Sequence, residues 1–173
     1  MLGGCYVLEG QGWCNGSAGF SEQTAGSNPY ILDHQTPISA AGAWSGVTVK
    51  FSYVVYPDNT TTDVYAFSVN SGRTGSLAVT SRTWSPGFNC MISANITYNT
   101  YYGFYPGTSY CDSLNPHDSW FDLNWVSLHE LGHALGLDHS GDTSAVMYAY
   151  NGGCEFRSLT TDDRNGIIAI YGQ

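Results

Sequence analysis

The stretch HELGHALGLDH, residues 129–139, carries the pattern that decides the interpretation of this 173-residue chain. His129 and His133 are four residues apart, so on a helix both imidazoles lie on one face and can reach one metal ion. On a continuous helix His139 would point away from them. Gly136 can adopt the positive φ that ends a helix, so the chain can turn back and present His139 to the same ion. The spacing predicts three histidine ligands.

The ligand set predicts the kind of metal site. Three neutral imidazoles with one open position are typical of catalytic zinc, whereas structural zinc usually has four protein ligands, often cysteines. Glu130 follows His129 and is placed to act as a general base on a water held at the open position. These groups suffice for metal-assisted hydrolysis of an amide bond. The alternative is a non-catalytic, zinc-stabilised extracellular binding module, which a fourth protein ligand on the metal would favour.

Composition restricts the class of protein. Hydrophobic residues make up 42% of the chain, aromatic residues 14% and charged residues 11%, which excludes a disordered chain and a coiled coil. A net charge of −9 disfavours nucleic acid as a partner, and no apolar run is long enough for a membrane span. The length predicts one domain over residues 1–173. We expect a monomer whose partner is a peptide or protein substrate.

Cysteine usage indicates the compartment. The chain has few lysines and five cysteines, namely Cys5, Cys14, Cys90, Cys111 and Cys154, which favours an oxidising environment and a secreted, extracellular protein. The odd number allows two disulfide bonds and one free thiol, and the sequence leaves the pairing open. No signal peptide is recognisable at the start, so we expect a mature chain that has lost its export signal.

Hydrophobic periodicity predicts strands first and helices last, which is an α+β fold. A short helix is expected over Ile38–Trp44, followed by strands over Val47–Tyr56, Val64–Val69, Leu77–Thr83 and Met91–Tyr98. Residues 1–30 are expected to be loop with one strand, and residues 99–119 a long irregular loop. Asp122 is expected to cap a helix over Leu123–Leu135, and Thr160 or Thr161 a terminal helix.

The HExxHxxGxxH string, with Met147 in the following segment 144–148, resembles the metzincin metallopeptidases. Within that clan the chain resembles the matrixins, the family of the matrix metalloproteinases, and more closely their bacterial-type members. Ser140 after the third histidine and the pair Asp162-Asp163 near the end of the chain match this family. The resemblance is specific over about residues 120–172.

The resemblance implies a zincin-like fold with a twisted, mostly parallel sheet, one antiparallel edge strand, an active-site helix and a C-terminal helix. It divides the domain into an upper subdomain, about residues 1–136, and a lower one, about residues 137–173. It also implies that Met147 lies in a tight turn beneath the metal. The pair Asp162-Asp163 would brace this turn and the start of the chain.

The activity implied by the resemblance is that of a zinc endopeptidase with one catalytic ion. His129, His133 and His139 would bind the zinc and Glu130 would be the base. An extended peptide would pair with the edge strand, and the residue after the scissile bond would enter a neighbouring pocket. The implied substrate-binding residues are Leu77, Ala78 and Val79 on the edge strand and Tyr148 and Tyr150 at the pocket wall.

Departures from the family pattern limit which features of the family we expect in this chain. Only His34 and His117 remain outside the motif, so we expect no second, structural zinc. A calcium ion is a separate expectation, with Asp58, Asp63, Asp112 or Asp118 as candidate ligands. Ala149 stands where animal members often carry proline, which leaves the shape of the pocket open.

Overall fold

The computed structural model describes residues 6–8, 10, 12–22, 35–45, 50–53, 63–105, 120–150 and 155–172. The elements follow one another as β1 (Val7–Leu8), β2 (Ser17–Glu22), α1 (Gln35–Ser45), β3 (Lys50–Tyr53), β4 (Val64–Val69), β5 (Ala78–Trp84), β6 (Met91–Asn99), β7 (Gly103–Tyr105), β8 (Trp120–Asp122), α2 (Leu123–Ala134), β9 (Leu137–Asp138) and α3 (Thr161–Tyr171). The α+β fold class is confirmed.

The main sheet has five strands in the order β3-β2-β4-β6-β5. The pairs β2/β3, β2/β4 and β4/β6 are parallel, whereas β5 is antiparallel to β6 and lies at the edge. Residues along β5 alternate between half-buried and exposed, as expected for a strand with one face on the core. The prediction of a mostly parallel sheet with one antiparallel edge strand is confirmed.

The predicted elements differ from the observed ones mainly at their ends. The strand Val64–Val69 is observed with its predicted bounds, the strand predicted over Leu77–Thr83 is displaced by one residue at both ends, and the strand predicted over Met91–Tyr98 extends one residue further. Only Lys50–Tyr53 of the strand predicted over residues 47–56 lies within the described residues. Helix α1 begins earlier than expected because Pro37 fits in its first turn, where a missing N–H breaks no helical hydrogen bond.

Two expectations about loops were wrong. The segment 99–119 contains the strand Gly103–Tyr105, which pairs in parallel with β8, and the segment 1–30 contains two strands instead of one. Neither β7 nor β2 has a local sequence pattern that predicts a strand. Strand β7 is three residues long, and a side chain at Gly103 would overlap the Trp120 ring. Strand β2 lies between β3 and β4, so its distant neighbours determine its conformation.

Helix α2 lies in the core beneath the sheet, with eleven of its twelve residues buried. Trp44 of α1 donates from Nε1 to the Leu128 carbonyl at 2.9 Å, and the Tyr98 hydroxyl of β6 is 2.8 Å from Ser127 Oγ. These bonds satisfy polar groups that would otherwise be costly to bury. They hold the helix rigidly between α1 and the sheet.

One disulfide bond, Cys14–Cys90, is present in the described part of the chain and joins the N-terminal segment to the start of β6. It confirms that the chain carries a disulfide. The other three cysteines, Cys5, Cys111 and Cys154, lie outside the described residues. Across the described segments, no helix has both the length and the apolar character needed to cross a membrane.

Candidate metal centre

Helix α2 carries the first two candidate ligands and begins where the sequence predicts. The Asp122 carboxylate accepts a hydrogen bond from the Trp125 backbone N–H at 2.7 Å, which confirms the predicted N-cap. His129 and His133 lie on the last two turns of the helix and are 6% and 9% exposed. The helix therefore fixes their backbones before any metal binds.

The end of helix α2 is held by side chains from three distant parts of the chain. Trp13 Nε1 donates to the Ala134 carbonyl at 2.8 Å, the Tyr171 hydroxyl to the Leu135 carbonyl at 2.9 Å and Arg82 to the His133 carbonyl at 3.2 Å. The carbonyls that the last turn leaves without helical partners are thus satisfied. Sequence reasoning missed all three donors, because no local pattern links them to the helix.

The chain reverses at Gly136, whose φ is +101°. This backbone conformation strains any residue with a Cβ atom. A Cβ atom at this position would also lie 3.3 Å from Ile170 Cδ1. The turn leads into β9 and then to His139, as the sequence predicts.

The three histidines converge. Their ring centroids are 4.7 Å apart for His129 and His133, 5.2 Å for His129 and His139, and 4.9 Å for His133 and His139. One nitrogen from each ring lies within 4.8 Å of the other two. Among the described residues, no other group of three or more potential ligands is this close.

Hydrogen bonds orient the two buried rings toward a common point. His129 Nδ1 is 2.8 Å from the Val146 carbonyl and His133 Nδ1 is 2.8 Å from the Leu137 carbonyl. A carbonyl can only accept, so each Nδ1 carries the proton and each Nε2 presents a lone pair. The two Nε2 atoms are 3.1 Å apart. Two facing lone pairs repel unless a cation lies between them, so this donor set fits a zinc ion.

Burial keeps both of these rings neutral, which is the form that binds metal. It lowers the pKa of His129 to about 4 and that of His133 to about 3. Hydrogen bonds to the Val146 and Leu137 carbonyls oppose the effect only in part. The rings are therefore neutral, and able to bind metal, well below neutral pH.

Glu130 is buried beside the triad and is 5% exposed. Burial raises the pKa of its carboxyl to about 7, although a hydrogen bond from Thr80 and the positive charge of Arg82 act in the opposite direction. Thr80 Oγ1 donates to Glu130 Oε2 at 2.5 Å. A carboxyl with a pKa near neutrality can both accept and return a proton.

The segment around Met147 passes beneath α2. Met147 is 1% exposed, and a Cβ atom at Gly132 would overlap its Sδ atom, so helix and turn meet where only glycine fits. The buried Asp163 carboxylate accepts hydrogen bonds from the Val146 and Met147 backbone N–H groups at 3.0 and 3.1 Å. Terminal helix α3 therefore braces this turn, as the resemblance implies.

The family model Matrixin matches residues 42–172. This chain belongs to the matrixin family. That assignment accounts for the triad, for Glu130 beside it and for the buried methionine, because the catalytic zinc of this family fits the three histidines.

Matrixin relatives are similar over shorter stretches. Human matrix metalloproteinase-16 is 49% identical over 61 residues, which cover 34% of this chain and 10% of that protein. Macrophage metalloelastase of Oryctolagus cuniculus is 49% identical over 53 residues, covering 30% and 11% respectively. A protein of Trichoplusia ni ascovirus 2c is 43% identical over 60 residues, covering 35% and 11%. These matches span only about a tenth of each relative, and they give no support to a bacterial-type placement.

The matrixin site opens into a cleft of about 1040 Å³. Four of the five predicted substrate-binding residues line it, namely Leu77, Ala78, Val79 and Tyr150, together with the triad and Glu130. Tyr148 does not line the cleft and instead packs against Tyr150, with ring centroids 5.8 Å apart. Trp125 and Arg73 also line the cleft, and sequence reasoning did not single them out.

Arg157 of the matrixin supports one wall of this cleft from behind. Its guanidinium lies 5.8 Å from the Trp125 ring centroid and 5.3 Å from that of Tyr148, and it donates to the Ala145 and Tyr150 carbonyls. Tyr148 thus packs against Arg157 and Tyr150 and does not line the cleft. No sequence signal connects an arginine in this position to two aromatic rings.

Only one of the candidate calcium ligands of this matrixin, Asp63, lies within the described residues. Asp63 Oδ2 accepts a hydrogen bond from the Gly19 backbone N–H at 2.8 Å, which ties the start of β4 to β2. The other candidate ligands, Asp58, Asp112 and Asp118, lie outside the described residues, as do His34 and His117. Calcium remains a prediction.

Proposed function

We propose that this chain is a zinc-dependent endopeptidase that hydrolyses peptide bonds of protein substrates. The observation that carries the proposal is the set of facing Nε2 lone pairs of His129 and His133, with His139 beside them and Glu130 adjacent. The donor set suits a catalytic zinc rather than a four-ligand structural one. A large cleft next to the triad gives a polypeptide access to this centre.

The proposed roles follow from position and chemistry. His129, His133 and His139 would hold the ion, which when bound supplies a Lewis acid that polarises a carbonyl and acidifies water. Glu130 accepts the proton of the attacking water and returns it to the leaving amine. Met147 supports the ligands from below through its contact with Gly132.

The substrate would bind as an added strand. Strand β5 pairs with β6 on one side and lies at the edge of the sheet, so its other side can accept an extended peptide through backbone hydrogen bonds. Leu77, Ala78 and Val79 supply this edge, while Tyr150, against which Tyr148 packs, belongs to the wall for the residue after the scissile bond. An antiparallel peptide would place its C-terminal part beside Leu77.

Broader properties of the protein are part of the same proposal. Matrixins are typically extracellular, and the Cys14–Cys90 disulfide suits an oxidising compartment, so we infer secretion. We further infer a single monomeric catalytic domain with an upper part to about residue 136 and a lower part beyond it. The bacterial-type placement stays a prediction based on sequence resemblance alone.

The experiment that tests the proposal compares the chain with its Glu130→Ala variant on a peptide library. We expect the variant to retain zinc, because all three histidines remain, and to lose several orders of magnitude in cleavage rate. Chelation should abolish cleavage by the unsubstituted chain and added zinc should restore it. Zinc content measured by atomic absorption is the control for metal loss.

Full cleavage by the Glu130→Ala variant, or cleavage that resists chelation, would reject the proposed mechanism. Zinc binding with no hydrolysis by either protein would favour the zinc-stabilised binding module instead. A thermal-shift measurement with and without zinc distinguishes this case from simple misfolding.

A further inference from the structure

Strand β5 contacts the catalytic helix through alternate side chains. Ala78, Thr80 and Arg82 are half-buried and face α2, whereas the residues between them are exposed. Arg82 donates to the His133 carbonyl at 3.2 Å and to the Leu137 carbonyl at 3.4 Å. The strand that would receive the peptide is therefore also bonded to the helix that carries the ligands.

Thr80 makes the closest of these contacts. Its Oγ1 lies 2.5 Å from Glu130 Oε2 and 3.0 Å from the Glu130 backbone carbonyl. A threonine hydroxyl has one proton to donate, and the shorter distance together with the negative charge of a carboxylate makes Oε2 the principal acceptor. This bond spans 50 positions in sequence, so local helix geometry does not produce it.

The hydrogen bond from Thr80 to Glu130 Oε2 limits the orientation of the carboxylate. It restricts rotation of the carboxylate about its terminal torsion, which is otherwise broad and two-fold. With Oε2 held by Thr80, the second oxygen, Oε1, is the one presented as a proton acceptor. Because proton transfer requires a heavy-atom distance of about 2.6–3.2 Å, a freely rotating carboxylate would spend less time in a reactive orientation.

We propose that Thr80 is a positioning residue that fixes the orientation of the Glu130 carboxylate during catalysis. This inference rests on the proposed function, since it presumes that Glu130 is the base. It goes beyond that function in assigning to the edge strand a second role, which is to hold the base in register with the peptide that the same strand binds.

The test uses the full zinc-loaded chain and compares Thr80→Val, which keeps the shape but removes the hydroxyl, with Thr80→Ser, which keeps the hydroxyl. Thr83→Val is the matched control, because Thr83 is an exposed threonine on the opposite face of the same strand. The substrate is a peptide selected by library cleavage. We measure kcat and KM separately, with zinc content and circular dichroism for every variant.

We expect Thr80→Val to lower kcat by about 10- to 100-fold, the factor that corresponds to one hydrogen bond to a charged group. KM and zinc content should stay unchanged, because neither the peptide edge nor the ligands are altered. Thr80→Ser should recover most of the rate, and Thr83→Val should match the unsubstituted chain. An unchanged kcat in Thr80→Val, or a loss that Thr80→Ser fails to recover, would overturn the inference.

A double-mutant cycle separates positioning from simple support of the helix backbone. In a Glu130→Gln background Thr80→Val should have no further effect on residual turnover, since the carboxylate is already gone. In metal-free protein the urea midpoints should be non-additive when Thr80→Val is combined with Glu130→Ala, because the alanine removes the acceptor of the Thr80 hydrogen bond. Additive effects in both measurements would mean that Thr80 acts through the Glu130 backbone carbonyl, and would overturn the inference.

The cycle also distinguishes failure of the proposed function from failure of the role assigned to Thr80. If Glu130→Gln retains full kcat, the proposed function itself fails. If Glu130→Gln is inactive and Thr80→Val is fully active, only the role of Thr80 fails.

Discussion

The candidate centre joins two regions that hold their ligands by different means. His129 and His133 are buried on a helix, and each ring has a backbone carbonyl bound to its Nδ1. His139 is exposed and follows the reversal at Gly136. The helical pair is thus oriented by packing before metal binds, whereas the third ligand depends on a turn. The comparison shows that one half of the site is preformed and the other is held by loop geometry.

Two neighbouring aspartates support these two regions separately. Asp163 is fully buried and accepts from the Val146 and Met147 backbone N–H groups, and the Val146 carbonyl in turn fixes the His129 ring. Asp162 accepts a hydrogen bond at 2.7 Å from the hydroxyl of Ser140, which is the residue directly after His139. The pair therefore offers a matched test of the comparison.

The largest effect is expected from Asp163→Ala. It leaves two buried N–H groups of the turn and the helix cap at Thr160 without their acceptor, so we expect a loss of about 3 kcal/mol or more in the free energy of unfolding. Asp162→Ala should cost about 1 kcal/mol, because its bonds are partly exposed. Urea unfolding of both variants measures the difference, and equal losses would contradict the asymmetry.

The next effect is a pH dependence that comes from the buried pair. Below pH 6.5 the unfolded chain protonates His129 and His133, while the folded pKa values of about 4 and 3 keep the rings neutral, so stability falls as pH falls. Glu130, with its folded pKa raised to about 7, acts with the opposite sign. In metal-free Glu130→Gln protein we expect a loss of about 2–3 kcal/mol between pH 7.5 and 5.5.

This pH dependence is measured as the urea unfolding midpoint at each pH, in the presence of a chelator. The same titration followed by NMR should show the two imidazoles changing state well below the ordinary histidine pKa of about 6.5. Midpoints near 6.5 for both rings would mean that the helical pair is not preformed.

The smallest effect concerns the turn that serves His139. Gly136→Ala introduces a Cβ atom at φ +101° and close to Ile170, so we expect a loss of about 1–2 kcal/mol and weaker zinc binding. Gly42→Ala in α1 is the control, because nothing lies within 4 Å of its Cβ position, and it should be neutral or slightly stabilising. Chelator competition measures the zinc affinity, and equal affinities in both variants would contradict the dependence on the turn.

The sequence predicted those parts of the site that local geometry controls. Helical spacing sets His129 beside His133, the Asp122 cap fixes where their helix begins, and Gly136 supplies the reversal. The capping box of α3, with Thr160 and Asp163, is likewise a short-range signal. In each case a few consecutive residues contain the physical cause.

The parts that escaped prediction depend on contacts between distant segments. Strand β7 exists because β8 pairs with it, and the bond from Thr80 to Glu130 crosses 50 positions. The donors that satisfy the end of α2, Trp13 and Tyr171, come from opposite ends of the chain. Such contacts are products of the assembled fold, so a single sequence without its structure gives no sign of them.

Zinc K-edge X-ray absorption on the zinc-loaded protein tests the central claim most directly. Three converging imidazoles with one position left for water predict three nitrogen ligands at about 2.0–2.1 Å and one oxygen, and the His139→Ala variant should lose one nitrogen. A sulfur ligand at about 2.3 Å, a fourth protein nitrogen, or an unchanged spectrum for His139→Ala would contradict it.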